Sequence, residues 1–452
     1  MTSTAPTGRT ASIPDPARVQ VQAQTRILRV LVASQIFSGA GLAAGVTVGA
    51  LLARDMLGST GLAGLPSALF TAGSALAAIG VGRISQARGR RPGLASGYLT
   101  GAIGSAGVIT AAVLDNPVLL FTALFVYGAG SATNLQARYA GADLAAPGHR
   151  ARSVSTVLVA TTLGGVAGPN LAVPTGNLAE SLGIPHLAGL FLLSGLAYAL
   201  AALVLALWLR PDPLLLARTL AETEKAEATV GTTTTGTTGT TGTTGTTGTT
   251  GTADTADTAD TADTADTAEH RGGVVLGALV MVLTQVVMVA IMTMTPVHMH
   301  DHGHGTAASG LVIAIHVGAM YLPSPLTGRL VDRYGGMKIA AASGATLLAA
   351  GVLAAAAPGD SVPLLALALA LLGLGWNFGL VAGTAIITDT VPLATRARTQ
   401  GLVDVSIAIA GATGGITSGV MVAATSYPAL ALTGGVLSLA LLPAVAATAY
   451  RR

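Results

Sequence analysis

Apolar residues run through this chain in long unbroken blocks, not in the narrow stripes of soluble helices. A helix that crosses a bilayer needs about 20 consecutive, mostly apolar residues. Twelve blocks of that kind are present. Six lie at residues 27–52, 61–82, 94–114, 118–140, 154–174 and 187–209, and six more at 274–296, 307–328, 339–357, 363–387, 401–424 and 429–449. The pattern predicts an all-α membrane protein with one six-helix bundle in residues 27–209 and another in residues 273–452. Two polar segments break it. Residues 1–26 hold prolines and scattered arginines but no apolar run, so a disordered cytoplasmic tail is expected and a cleaved signal is not. Residues 210–272 open with Arg210-Pro211-Asp212-Pro213, pass a mixed-charge patch at Glu222–Glu227, and become Thr-Thr-Gly and then Thr-Ala-Asp triplets. Without large apolar side chains such a segment cannot offset its ordering entropy, so a disordered cytoplasmic linker is expected.

Composition sharpens this picture. Hydrophobic residues make up 51% of the 452 positions and charged residues only 10%, against about 25% charged in soluble domains. The 59 glycines suit helices that approach closely in lipid. With no cysteine, disulfides, thiol chemistry and cysteine metal sites are excluded. Basic residues stay on the cytoplasmic side of a membrane protein. With the amino terminus inside, all 23 Lys and Arg residues except Arg54 fall on cytoplasmic segments or helix ends, and Asp55 stands beside that exception. Both termini and the linker are thus expected in the cytoplasm of a multi-pass inner-membrane protein.

The two halves repeat each other in one register. Gly82-Arg83-Ile84 after the second span matches Gly328-Arg329-Leu330 after the eighth, and Arg150-Ala151-Arg152 before the fifth matches Arg396-Ala397-Arg398 before the eleventh. Both offsets are 246 residues (328 − 82 and 396 − 150), and Asp143 and Asp389 share it. Ser34-Gln35 also resembles Thr284-Gln285, at an offset of 250 (284 − 34). Paired repeats about an axis along the membrane normal are the architecture of a rocking transporter, with its substrate near the bilayer midplane.

The segment Gly82-Arg83-Ile84-Ser85-Gln86-Ala87-Arg88-Gly89-Arg90-Arg91-Pro92 resembles the loop signature of the major facilitator superfamily, Gly-x-x-x-Asp-Arg-x-Gly-Arg-Arg/Lys. The second copy, Gly328-Arg329-Leu330-Val331-Asp332-Arg333-Tyr334-Gly335-Gly336-Met337-Lys338, resembles it too. The resemblance implies a twelve-helix secondary transporter and a cytoplasmic gate in which the loop Asp latches the two halves. Gly82, Arg83, Gly89, Arg90, Arg91, Gly328, Arg329, Asp332, Arg333, Gly335, Arg150, Arg152, Arg396 and Arg398 are the gate residues it implies. Gln86 and Ala87 replace the Asp-Arg pair in the first copy, so that half-latch is expected to be weakened or displaced. In the fifth span, Gly164, Gly168 and Pro169 resemble part of the Gly-x-x-x-Gly-Pro signature of the family's exporters, which leans the reading toward efflux of drug-like or metabolite substrates. The early arginine of the fourth span in the family's drug–proton antiporters is replaced by Leu124, and the first span has no carboxylate.

Polar groups inside spans are functional candidates by default, because lipid makes them costly. Gln35, Asn134, Gln285, His316, Trp376 and Asn377 are the candidates for a substrate cavity, with His316 the candidate titrating group. Arg138, Asp143 and Asp404 lie toward cytoplasmic helix ends, where snorkelling or a structural ion pair is expected. His298, His300, His302 and His304 gather beyond the seventh span. Their loose spacing argues against a defined metal site, although a metal exporter remains an alternative, as do an uptake permease and a non-transporting sensor of the same fold. There is no phosphate-binding loop, no His-Glu-x-x-His and no nucleophile with partners, so an ATP-driven pump and an enzyme are excluded. The expected partners are a small-molecule substrate, protons and the lipid bilayer. No nucleic acid, cofactor or resident metal is expected, and the chain is expected to act as a monomer.

Overall fold

A computed structural model describes residues 16–47, 52, 56, 65–235 and 254–442. The helices are α1 Pro16–Thr47, α2 Leu65–Arg88, α3 Arg90–Val113, α4 Pro117–Ala142, α5 Arg150–Asn170, α6 Ala172–Ser181 and α7 Gly189–Trp208. They continue as α8 Pro213–Thr235, α9 Asp254–Asp301, α10 Thr306–Tyr321, α11 Ser324–Tyr334, α12 Gly336–Ala356, α13 Val362–Thr390, α14 Arg396–Ala424 and α15 Tyr427–Ser438. No strand occurs among the described residues. Nine of the described helical segments are long and apolar enough to cross a membrane. Helices also stand at the first, fifth and twelfth predicted spans, the first and last running into residues outside the described set.

Each half has a core, and that of the second reaches across to Ala142, Ala151, Val154 and Leu158 of the first. In the first, Ile27, Leu31, Tyr98, Tyr127, Phe191 and Tyr198 are buried together; in the second, Val280, Leu347, Leu369, Val381 and Ala431. The packing repeats as the sequence does: α1 lies on α5 and α3 on α4 and α7, while α9 lies on α14 and α12 on α13 and α15. Between the halves, α2 packs on α14 and α11 on α5. Asn116 starts α4 by accepting from Leu119 N at 3.0 Å, ahead of Pro117, whose missing N–H is harmless in the first turn. The loop glycines Gly89 and Gly335 sit at φ +97° and +89°, a region open to glycine at no steric cost. They turn the chain from α2 into α3 and from α11 into α12.

Three expectations change. The tail is shorter, because α1 starts at Pro16, and Gln20 and Gln24 donate to the carbonyls of Leu144 and Gly141 at 2.9 and 2.7 Å. The linker is not a free tether throughout. Its first part is α8, where Leu214 is fully buried and Ala217 nearly so, and from Asp254 onward its Thr-Ala-Asp triplets fall within α9, with one strong helix former in each triplet. Span eight is broken at Leu322–Pro323 into α10 and α11, since proline removes a helical donor. The Thr-Thr-Gly triplets in 236–253, together with Arg54 and Asp55, lie outside the described residues.

Candidate functional site: a seam between the halves

The loop arginines gather at one end of the bundle, termed here the basic end, and there the two halves are tied. Asp332, at the last turn of α11, accepts from Ala151 N and Arg152 N at 3.0 and 3.1 Å. It so fills free donors of the first turn of α5 with negative charge at a helix N-terminus, where charge and dipole agree. Gln86, in the last turn of α2, does the same for α14. Its Oε1 accepts from Ala397 N at 2.8 Å and Arg398 N at 3.4 Å, and its Nε2 donates to the carbonyls of Leu393 and Ala394 at 3.2 and 2.5 Å. Gln86 and Asp332 are 246 residues apart, as are the backbone N–H donors they cap, Ala151 and Ala397, Arg152 and Arg398. The weakened half-latch expected from the missing Asp is therefore corrected. A neutral amide completes it, giving up charge but gaining two donors.

Glycine makes this closeness possible. A Cβ on Gly82 would stand 2.9 Å from Ala397 O, and one on Gly328 would stand 2.6 Å from Ser155 Oγ and 2.8 Å from Ala151 O. These two motif glycines are thus where one half's backbone touches the other's.

Behind the latches lies a buried polar layer. Arg90 is fully enclosed and grips Asp143 with Nε at 2.7 Å and Nη2 at 3.3 Å, while Nη2 also reaches Gln400 Oε1 across the seam at 2.5 Å. Arg150 pairs with Asp389 at 2.5 Å nearer the surface. Arg396 is buried and donates from Nε to Val391 O at 3.1 Å. Arg152 approaches Asp332 at 3.9 Å. Deeper still, Arg138 crosses from α4 to meet Asp404 of α14 at 2.7 Å and Thr384 of α13 at 3.0 Å, and the guanidinium lies over the Tyr139 ring. Arg138 and Asp404 do not snorkel: their side chains are 0% and 2% exposed. Arg138 and Thr384 are themselves 246 residues apart. By contrast Arg83, Arg88, Arg329, Arg333 and Arg398 are exposed on the same end and Arg91 is half-buried, placed for anionic headgroups.

The predicted cavity residues divide. Gln35 and Asn134 belong to a closed network within the first half: Gln35 accepts from Tyr98 at 2.5 Å and donates to Thr161 at 3.1 Å, and Asn134 donates to Ser38 at 2.8 Å. Asn377 bridges the break in span eight, accepting from Thr327 at 2.6 Å and donating to Met320 O and Ser324 Oγ at 2.7 Å each. His316 stands 2.8 Å from Leu369 O through Nδ1, and its Nε2 is enclosed without a partner among the described residues. Gln285 and Trp376 meet each other, Trp376 Nε1 donating to Gln285 Oε1 at 2.8 Å, with Tyr321 edge-on to the indole at 5.7 Å. Gln285 and Tyr321 are only half-buried. Gly164 brings α5 against the α1 backbone at Ile36 and Ala40, and Gly168 is buried. Pro169 lies within α5. The outer histidines do not form a metal cluster among the described residues. His298 instead stacks on Tyr427 at 4.3 Å, and His304 reaches Gly359 O at 2.9 Å.

Two homologous six-helix bundles, nine lipid-compatible helical segments and a symmetric seam at one end define an integral membrane protein of the paired-repeat transporter class. The Major Facilitator Superfamily model matches residues 30–376 and 274–452, and the chain belongs to that family. It is 55% identical over 420 residues to an uncharacterised MFS-type transporter, YdeG of Bacillus subtilis (strain 168), covering 93% of this chain and 91% of that one. It is 27% identical over 368 residues to the riboflavin transporter RfnT of Brucella anthropi, covering 79% of each. Among solved structures, the proton:xylose symporter XylE aligns with a TM-score of 0.68 at 16% identity, over 93% of this chain and 95% of that one; this likeness shows the fold. The protein is a transporter and not an enzyme.

Proposed function

We propose that this chain is a secondary active transporter which moves a small molecule by alternating access, with the basic end in the cytoplasm, and that it exports drug-like or metabolite substrates. The carrying observation is the pseudo-symmetric pair of caps, Asp332 on α5 and Gln86 on α14. Each is a handful of bonds between rigid bundles that water can replace, so the seam can part without unfolding either half. Half-buried Gln285 and Tyr321, with the buried Trp376 indole behind them, offer an amide and an aromatic edge toward the substrate. Such a surface suits a planar heterocycle, and the relationship to a riboflavin transporter points the same way. Export is supported by the Gly164–Gly168–Pro169 segment and its close crossing with α1. The test is flux in proteoliposomes and inverted vesicles, with riboflavin and a panel of planar aromatic compounds. Accumulation driven from the basic side supports export. Movement only toward that side makes the protein an uptake permease, and no flux of any of these compounds removes planar heterocycles as its substrate class.

A further inference from the structure

We infer that the substrate is an uncharged planar ring compound with a hydrogen-bond acceptor, and that Gln285 reads that acceptor with its amide nitrogen. This deepens the transporter reading and rests on it. The two repeats carry the argument. Gln35 and Gln285 occupy matching places in the first and seventh spans, and Gln35 is closed. Its Oε1 accepts from Tyr98 at 2.5 Å and from Ser38 at 3.1 Å, and its Nε2 donates to Asn134 O and Thr161 Oγ1 at 3.1 Å each. At the 246-residue offset, Tyr98 and Thr161 correspond to Gly344 and Ile407 (344 − 98 and 407 − 161), which have no side-chain hydrogen bond to offer. The same offset puts Tyr321 and Trp376 where the first half has Ala75 and Gly130 (321 − 75 and 376 − 130). The second half thus lacks the groups that close the amide and sets two aromatic rings beside it.

Trp376 fixes which end of the amide is presented. An indole N–H donates and does not accept, so Gln285 Oε1 faces Trp376 Nε1, at 2.8 Å, and Nε2 faces away. Nε2 makes no hydrogen bond among the described residues. A Cβ on Gly411 of α14 would stand 3.2 Å from it, so glycine there keeps the space beside the amide open. Gln285, Tyr321 and Gly411 are all half-buried. A donor held in such a place is matched by a carbonyl or ring nitrogen on a flat ligand whose ring meets the aromatic edge. Charge narrows the class further. The charged residues within the twelve predicted spans are Arg29, Arg138 and Asp404. Arg29 is exposed near the start of the first span, and Arg138 and Asp404 neutralise each other at 2.7 Å. His316 is fully buried. Within the spans no acid is therefore left to meet a cation at midplane and no arginine to meet an anion, and an unmatched charge there is costly.

Four three-ring compounds separate the requirements: xanthone, neutral with a carbonyl; xanthene, neutral without one; xanthone-2-carboxylate, an anion; and 10-methylacridinium, a cation. Binding is measured by calorimetry on the full-length protein in lipid nanodiscs, against protein-free nanodiscs. Xanthone is expected to bind about three- to tenfold tighter than xanthene, the scale of one hydrogen bond, and at least about tenfold tighter than either ion. In Gln285→Leu, xanthone falls to the level of xanthene, while xanthene itself is little changed. Trp376→Phe keeps a ring but frees the amide to turn, so the preference for the carbonyl shrinks there too; this variant carries the test if Gln285→Leu fails to fold. Absence of xanthone binding, a preference for xanthone that persists in Gln285→Leu, or an ion bound as tightly as xanthone each overturn the proposal. Flux of the same compounds in proteoliposomes keeps the two readings apart. An ion carried while xanthone is not overturns the substrate class and leaves the transporter reading standing. Xanthone bound as expected, with neither it nor any other compound carried, sustains the site and contradicts the transporter reading.

Discussion

Gln86 is where reading by letters and reading by register part company. Matched by letter to the family signature it is a lost acid; matched by the 246-residue offset it is the counterpart of Asp332, and the bonds to Ala397 and Leu393 follow. The signal was in the sequence, because Arg396-Ala397-Arg398 keeps the helix start that needs capping. Cavity residues were less legible. A Gln or Asn inside lipid must find partners, but composition does not say whether these are substrate or neighbouring helices, and Gln35 and Asn377 chose neighbours. We predict that Gln86→Ala impairs the transport cycle about as much as Asp332→Ala. Each loses two cap bonds, worth about 1–2 kcal/mol of the latched state. Flux measured side by side checks this, and a silent Gln86→Ala contradicts it. Trp376→Ala is expected to raise KM at least about tenfold with little change in kcat, given about 1.4 kcal/mol per decade and the packing that an indole supplies. An unchanged KM removes Trp376 from the binding surface.

At the scale of elements, span positions were readable because lipid imposes one length and one polarity on every helix. Breaks and docked segments were not, since tertiary contacts decide them. The repeats between α8 and α9 dominate the linker's composition and hide what precedes them. There Asp212 accepts from Arg91 N at 2.7 Å and caps α8 through Leu214 N at 3.1 Å, and Arg218 donates to Gln86 O at 3.0 Å and Leu393 O at 3.4 Å. Arg218 therefore touches both halves at the gate. Arg218→Ala is expected to favour the open seam by a few tenths to about 1 kcal/mol, seen as faster proteolysis at the basic end, while deletion of residues 236–253 leaves flux nearly unchanged. The reverse pattern would make α8 a passive spacer. The crossing glycines predict a stronger effect. Leu at Gly82 or Gly328 cannot fit against Ala397 or Ala151, so either substitution should hold the basic end open and reduce flux severely while the protein still inserts in the membrane. Normal flux in both variants would show that the halves do not meet there.

For the whole molecule, symmetry is the organising fact. Two copies of one bundle, facing each other about an axis along the membrane normal, place equivalent caps at equivalent loops and bring Arg138 and Thr384 together at the seam between them. The seam's hydrogen bonds and ion pairs can be exchanged for water while each bundle keeps most of its own core, the condition for two repeats to rock against each other. The central claim is that transport requires this seam to part. Ser155 is buried beside Gly328 at the seam, and Ser155→Cys places a single thiol there in a chain that otherwise has none. Its alkylation by a membrane-impermeant reagent, applied from each side of oriented vesicles, is the direct measurement. The account predicts reaction from the basic side only, slow in the otherwise native chain and at least about tenfold faster when Gln86→Ala and Asp332→Ala remove both caps. Equal reaction from both faces, or a thiol that stays unreactive in the uncapped variant, would contradict it.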